Sequence, residues 1–256
     1  MTAERFITFA DKIRGRRPAL GYWVVLDAPP ATERIARLGY DYVVLDGQHG
    51  LLGYPGILQG LTAIDAAGTA VGLVRVEANN ATPIGRALDA GAGGVIVPLV
   101  DTAADAAAAV SAARYPPTGR RSYGPSRAAL RVGPTPADAD ATVVVLAMIE
   151  TAAGLANVTE ICNVPGLDGV YVGPSDLRLS IGGETPTDPA LDTEFDAALR
   201  RILQAASDAG IAAGIHTFDG ATARRRLAQG FTFASIDGDL GHLAGVAGKE
   251  LDAAQD

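Results

Sequence analysis

The chain has 256 residues and carries 29 acidic against 21 basic side chains, a formal net charge of −8. This acidic balance argues against nucleic acid or an anionic membrane as the main partner, although a metal ion or a local arginine can still prepare one pocket for a small anion. With 48% hydrophobic and 20% charged residues, the composition is that of a globular protein with a large core, and the length suits one barrel-sized domain over residues 1–256.

Eight short apolar runs follow one another along the chain. Each is too short for a helix and is nearly continuous in apolar residues, as strands buried on both faces are. The predicted strands are Tyr22–Leu26, Tyr42–Asp46, Ala70–Arg75, Gly94–Val100, Thr142–Glu150, Gly169–Val172, Ile211–Ile215 and Phe231–Ile236.

Alanine-rich segments with helical spacing separate these runs. Four of them end near a glycine, the residue that adopts the left-handed conformation after a helix with the least steric strain. Alternating strands and helices with short links imply parallel strands, and eight such units in this length predict an α/β fold of the (β/α)8 TIM-barrel type. The predicted helices are Ala31–Leu38, Ile57–Ala67, Ile84–Ala90, Ala103–Ala113, Leu191–Ala209 and Ala221–Ala228, and the glycines are Gly39, Gly68, Gly91 and Gly210.

Two segments fall outside this alternation. Residues 114–140 form a long stretch rich in proline, arginine and glycine, which is typical of a functional loop or of a disordered segment. Residues 237–256 are predicted to be a short loop followed by a polar tail.

In such a barrel the active site lies at the carboxyl ends of the strands. Glu150 and Asp176 follow the ends of the fifth and sixth runs, which are neighbours. Two converging carboxylates need a cation or a proton between them, and oxygen ligands favour a hard divalent ion. The alternative is that Asp176 caps the weakly helical stretch that follows it.

Three further side chains end strands in the same way. His49 lies in a glycine-flanked turn, where Asp46 could orient its imidazole for acid–base work. A surface histidine is the alternative. Arg75 closes an apolar strand and either pairs with a barrel carboxylate or stabilises an oxyanion. His216 is interpreted as a neighbour of the helix-capping Asp219, with a substrate-contacting rim position as the alternative, while Asp27 and Asp237 are assigned to capping or ion pairing.

Six motifs in series resemble one known family, the metal-dependent class II pyruvate aldolases of the HpcH/HpaI type. The resemblance extends from about Gly21 to Asp237 and is specific for the family, less so for the substrate. The motifs are VVLDGQHG (43–50), LVRVE (73–77), VIVPLVDTAADA (95–106), RYPPTGRRSYGPSRAA (114–129), MIET (148–151) and GVYVGPSDLRLSIG (169–182).

The resemblance implies roles for individual residues. Glu150 and Asp176 match the family's ligands for a divalent ion such as Mg²⁺, Mn²⁺ or Co²⁺, and His49 with Asp46 matches its acid/base dyad. Arg75 matches the arginine at the keto oxygen of pyruvate. Gly173 and Ser175 match the backbone that meets the pyruvate carboxylate, and Asp89 matches a carboxylate that some members place in the neighbouring subunit's pocket.

The chain also departs from the family pattern. Gln48 stands where glutamate is frequent, and Met148 stands where some sugar-acid aldolases have glutamine, which disfavours a highly polar acceptor. Arg121, Ser122 and Arg127 of the long loop either contact an acceptor carboxylate or serve a subunit interface.

The implied activity is aldol cleavage or condensation of 4-hydroxy-2-oxoacids, giving pyruvate and an aldehyde. No Schiff-base lysine is required, and the two lysines, Lys12 and Lys249, lie in the terminal segments. Oxaloacetate decarboxylation or hydroxyacyl-CoA cleavage at the same site are the enzymatic alternatives, the latter drawing on Arg114, Arg120, Arg121 and Arg127. A silent binding barrel is disfavoured by the complete set of site residues.

Compartment and assembly complete the expectations. The single cysteine, Cys162, excludes an intrachain disulfide and fits the cytoplasm. No apolar run approaches the ~18 residues that span a bilayer, and the N-terminus does not resemble a signal peptide. The family resemblance implies a homohexamer in which a C-terminal helix is exchanged between neighbours, and the apolar residues of 240–251 would be poorly covered in a monomer.

Overall fold

The computed structural model describes residues 2–133 and 135–255. Eight parallel strands follow one another around a closed barrel, each beside the next in the chain, and the eighth pairs with the first. The strands are β1 (Ala19–Val24), β2 (Tyr42–Asp46), β3 (Val71–Arg75), β4 (Gly94–Val97), β5 (Val144–Ile149), β6 (Gly169–Val172), β7 (Ala212–Thr217) and β8 (Phe233–Gly238).

The helices lie outside the barrel except at its two ends. Those of the described residues are α1 (Thr2–Arg14), α2 (Pro29–Ala36), α3 (Tyr54–Ala67), α4 (Ala81–Asp89), α5 (Ala103–Ala113), α6 (Pro136–Thr142), α7 (Ala152–Ala156), α8 (Val158–Cys162), α9 (Pro174–Ser180), α10 (Asp192–Ala209), α11 (Gly220–Ala228) and α12 (Asp239–Gln255). In the described part of the chain, none of them has the length and apolar character needed to cross a bilayer.

The predicted TIM barrel is confirmed, with all eight strands in the predicted order. The four glycines predicted to end helices have positive φ angles of 72° to 103°. The predicted fifth strand begins too early, because Thr142 still belongs to α6, where its hydroxyl donates to the carbonyl of Asp138 at 2.8 Å.

The prediction of a polar tail from the residue pattern is wrong, whereas the C-terminal helix implied by the family resemblance is present. Residues 239–255 form the helix α12. Four large apolar side chains lie exposed along it: Leu240, Leu243, Val246 and Leu251.

The barrel interior is filled by aromatic and aliphatic side chains. Helix α1 closes its N-terminal end with Phe6, Phe9 and Ile13. Gly21 and Gly214 make room for this core, because a Cβ at either position would lie 2.2 Å from the ring of Tyr42 or Phe233 respectively. The N-terminal end is therefore sealed, and the carboxyl ends of the strands are where a cavity can open.

Candidate active site

A cavity of about 330 Å³ opens at the carboxyl ends of the strands. Strands β1 to β3 and β5 to β8, or the segments that follow them, contribute to its wall. The lining residues are Trp23, Val25, His49, Arg75, Met148, Tyr171, Gly173, Pro174, Ser175, Asp176, His216, Phe218, Asp237, Gly238 and Gly241.

Arg75 is held in this wall by Asp46. The two residues are register partners at the ends of β3 and β2, and Nε and Nη2 of Arg75 donate to the two oxygens of Asp46 at 2.8 and 2.5 Å. The indole N–H of Trp23 donates to Asp46 at 3.1 Å, and the guanidinium carbon lies 5.0 Å from the Trp23 ring centre. Burial raises the pKa of Asp46, but the hydrogen bonds and charge of Arg75 outweigh it, so the pKa is lowered overall. The prediction of an ion pair with a barrel carboxylate is confirmed, and Arg75 still faces the cavity.

His49 lies in the turn after β2, with an exposed side chain in the cavity wall. Asp46 Oδ1 accepts the backbone N–H groups of Gln48 and His49 at 3.0 and 3.2 Å. Asp46 therefore shapes the turn that carries His49 and orients Arg75. Its two side-chain oxygens are engaged by these groups and Trp23, and no hydrogen bond joins it to the His49 imidazole within residues 2–133 and 135–255. The prediction that Asp46 orients that imidazole directly is therefore wrong for the described residues, because the Asp46 carboxylate binds Arg75, Trp23 and the backbone of the turn instead.

Glu150 lies buried just beyond β5, and its Oε1 accepts the backbone N–H of Leu99 at 2.8 Å. Its other oxygen faces Gly173, where an added Cβ would lie 2.7 Å from Oε2. The pKa of Glu150 is raised, first by burial and further by the nearby charge of Asp176. Asp176 lies in the first turn of α9 and lines the cavity. The end of β5 and the start of α9 thus bring two carboxylates together.

This arrangement suits a hard divalent ion. The donors are carboxylate oxygens, glycine keeps the free oxygen of Glu150 clear, and a cation would relieve the like-charge repulsion that raises its pKa. No group of three ligating side chains lies close enough for a metal among the residues that the structure describes. The chain would supply two ligands, and the remaining positions would fall to small molecules.

The far side of the cavity carries residues that the sequence interpretation missed. His216, at the end of β7, lines the cavity, while Asp219 alone caps α11 by accepting the N–H of Thr222 at 2.6 Å. The preferred interpretation of His216 is therefore wrong, and the rim position is confirmed. Trp23, Tyr171, Phe218 and Asp237 also line the cavity, and the alternation of inward side chains along β1 and β6 is the signal that could have found the first two.

Several predicted residues lie elsewhere. Gln48 is not part of the cavity wall, and its Oε1 is buried without a partner among the described residues. Asp89, at the end of α4, pairs with Arg121 at 2.7 Å, and Arg127 binds Asp65 and the carbonyl of Ala90. None of the loop arginines lines the cavity among the described residues. This argues against the acceptor contact in this subunit's own pocket, and also against the alternative of hydroxyacyl-CoA cleavage there.

The comparisons with known proteins agree with this geometry. The sequence model of the HpcH/HpaI aldolase/citrate lyase family matches residues 19–245. A hydroxypyruvate/pyruvate aldolase of Rhizorhabdus wittichii is 42% identical over 90% of this chain and 92% of that protein, and a 4-hydroxy-2-oxovalerate aldolase of Novosphingobium aromaticivorans is 38% identical over 91% and 92%. The crystal structure of an HpcH/HpaI aldolase/citrate lyase family protein from Burkholderia cenocepacia superposes with a TM-score of 0.86 at 30% identity, covering 97% of this chain and 99% of that one.

Proposed function

The chain belongs to the HpcH/HpaI aldolase/citrate lyase family and is a carbon–carbon lyase that cleaves 4-hydroxy-2-oxoacids to pyruvate and an aldehyde, and on that premise we propose how its own side chains perform the reaction. The family depends on a divalent metal ion. Glu150 and Asp176 hold that ion, Arg75 binds the keto oxygen, and His49 moves the proton. Ser175, Gly173 and Met148 surround the pyruvate half of the substrate.

Two features of the site support this proposal: the fixed guanidinium of Arg75, and the pair of carboxylates that suits a metal ion. The guanidinium is fixed on both sides by Asp46 and Trp23, so it stands preorganised where negative charge develops on the keto oxygen. When bound, a divalent ion held by Glu150 and Asp176 would supply further positive charge to stabilise the enolate.

His49 is the proton carrier. In the cleavage direction it accepts the proton of the 4-hydroxyl, the C3–C4 bond breaks as the aldehyde carbonyl forms, and the electron pair passes to the enolate of pyruvate. The enolate then takes up a proton at C3. His49 is exposed in the wall that also holds Arg75, which lets it reach a substrate atom or a water beside it.

Exchange of the methyl protons of pyruvate in heavy water tests this assignment without any aldehyde. Chelation should abolish the exchange, and Mg²⁺, Mn²⁺ or Co²⁺ should restore it. Exchange at an unchanged rate in fully chelated protein would refute the metal assignment.

We further propose a homohexamer in which α12 packs against a neighbouring subunit. The support is the exposure of Leu240, Leu243, Val246 and Leu251, which are 48% to 61% accessible, more apolar surface than one helix of a monomer usually leaves open. The molar mass from light scattering should be about six times that of the 26.1 kDa chain. A mass near that of one chain at micromolar concentration would contradict it.

The cytoplasm is the proposed compartment, supported by a single cysteine, Cys162, which is free and buried. Fractionation of the cells that produce the protein should recover it with cytoplasmic enzymes, and recovery from the medium or periplasm would contradict this.

A further inference from the structure

We propose that His216 and Asp237 select the aldehyde, favouring uncharged aldehydes that carry a hydroxyl next to the carbonyl. Together with Phe218 these residues form the acceptor wall, the part of the cavity contributed by the ends of β7 and β8 and the residue that follows β7. The inference rests on the proposed function, because it takes pyruvate to lie beside Arg75, Glu150 and Asp176.

The acceptor wall faces the part of the cavity that bound pyruvate would leave free. Pyruvate is held by residues that follow β3, β5 and β6, and the strands that continue around the barrel are β7, β8 and β1. His216 and Asp237 lie at the ends of the first two, and Trp23 of β1 closes the space from the side. An aldehyde that meets the methyl carbon of pyruvate must therefore place its chain against this wall.

The His216 ring is a polar group without a protein partner. Its edge packs against Trp23 and Phe218, with ring centres 5.1 and 6.2 Å apart, and its Nδ1 is buried without a hydrogen bond among the described residues. Since Nδ1 is closed off and His216 lines the cavity, the other ring nitrogen, Nε2, is the one that a ligand in the cavity can reach, and it forms no hydrogen bond with the described residues.

The ring is also uncharged at neutral pH. Burial, together with the charge of Arg75 and against the opposing charges of Asp237 and Asp46, lowers the pKa of His216 to about 4. The reachable nitrogen of a neutral imidazole either donates or accepts a hydrogen bond; a hydroxyl group can take the matching role in both cases, whereas a carboxylate can only accept.

The charges among the cavity residues disfavour a negative end on the aldehyde. Arg75 is the only arginine or lysine among the cavity residues of the described chain, and both oxygens of Asp46 already bind it. Asp237 adds a carboxylate, next to the first turn of α12, where a Cβ on Gly241 would lie 2.8 Å from Oδ2. A hydroxyl can donate to this carboxylate, whereas a second carboxylate would be repelled.

Two matched pairs of aldehydes test the inference with the complete metal-loaded enzyme and pyruvate. The first pair, 2-hydroxypropanal and propanal, differs by one hydroxyl, and the second, 4-oxobutanoate and butanal, by one carboxylate. We expect kcat/KM to be about 10-fold higher for 2-hydroxypropanal than for propanal, and about 10-fold lower for 4-oxobutanoate than for butanal, the size of one net hydrogen bond or one unfavourable charge contact.

Variants assign the selectivity to the wall. His216→Leu should bring the hydroxyl ratio close to one, while His216→Gln, which retains a donor and an acceptor, should keep most of it. Phe218→Leu is the matched control, since it alters the packing beside the ring without removing a polar atom, and should keep the ratio. Asp237→Asn should raise the use of 4-oxobutanoate relative to butanal.

Ratios taken within each enzyme cancel any general loss of activity. A hydroxyl ratio near one in the wild type, or a ratio unchanged by His216→Leu, would overturn the inference while leaving the proposed function intact. Failure of the metal-loaded wild type to exchange pyruvate methyl protons would instead overturn the proposed function, and this inference with it.

Discussion

Each end of the barrel contains an aspartate that is paired with arginine, and the two ends differ in what surrounds these ion pairs. At the N-terminal end, Asp168 accepts hydrogen bonds from Arg14 at 2.7 Å, from Arg114 at 2.8 Å and from the backbone N–H of Val145 at 2.8 Å. At the carboxyl end, Asp46 holds Arg75, and the cavity begins immediately beyond them.

The contrast shows how one ion-pair chemistry serves both stability and catalysis. Around Asp168 the charges compensate one another beneath α1, so nothing is left to bind a ligand. Around Asp46 the neighbouring elements leave a carboxylate with a raised pKa, Glu150, and a buried ring nitrogen without a partner, on His216. Charged or polar groups without partners destabilise a folded protein. They mark the carboxyl end of the barrel as the place where a substrate and a metal ion complete the site.

The largest expected effect lies in the carboxylate pair. Glu150→Gln keeps an acceptor for the N–H of Leu99 but removes the charge, so turnover should fall on the order of 10⁴-fold through the loss of metal binding. Steady-state cleavage assays together with calorimetric metal titration measure both properties. Glu160→Gln, an exposed carboxylate on α8, is the control, and a Glu150→Gln enzyme that binds metal normally would remove Glu150 from the site.

The next effect separates His49 from Arg75. His49→Ala should lower turnover by roughly 10²–10⁴-fold with little change in the dissociation constant of pyruvate, because a proton carrier acts only in the chemical step. Arg75→Ala should weaken pyruvate binding and turnover together, since the guanidinium contacts both the keto and the enolate oxygen. Pyruvate titration and proton-exchange rates distinguish the two, and normal exchange and normal cleavage in His49→Ala would shift the role to His216 or to water.

At the opposite end of the barrel the same kind of change should act on stability. Asp168→Ala leaves the buried Arg114 without its carboxylate and should lower the free energy of unfolding by about 3–5 kcal/mol. Thermal unfolding should show a fall of about 2–4 °C in Tm for each kcal/mol, while kcat of the folded enzyme stays near that of the wild type. Asp208→Ala, at an exposed position, is the control. An Asp168→Ala protein of normal stability but low kcat would contradict the assignment of this end of the barrel to stability and of the opposite end to catalysis.

The smallest expected effect is a pH dependence of stability in metal-free protein. Because burial and Asp176 raise the pKa of Glu150 above its ordinary 4.5, ionisation of Glu150 opposes folding. The penalty is absent below pH 4.5, develops as the pH rises to the raised pKa, and is complete above it. Glu150→Gln should therefore be more stable than the wild type at neutral pH and equal to it at lower pH, measured by urea unfolding without metal. Added metal should reverse the order, since it stabilises only the protein that binds it.

The sequence by itself determined the eight strands, their order and the end of the barrel that carries the site. These features follow from local patterns, because apolar runs of strand length and the glycines after helices are set by neighbours in the chain. The positions of Glu150, Asp176, Arg75 and His49 followed from them, since each stands directly after a run and the carboxyl ends of parallel strands meet on one face.

Only the tertiary structure decided which partners these side chains have. Asp46 binds Arg75 and not the His49 imidazole because strand register places residues 46 and 75 side by side. Asp89 binds Arg121, which follows it by 32 positions, beyond β4 and α5. His216 lies in the cavity beside Trp23 because closure of the barrel pairs β8 with β1, which leaves β7 only one strand away from β1. Such contacts join residues far apart in the chain, and their geometry depends on closing the whole barrel, which no local pattern of residues encodes.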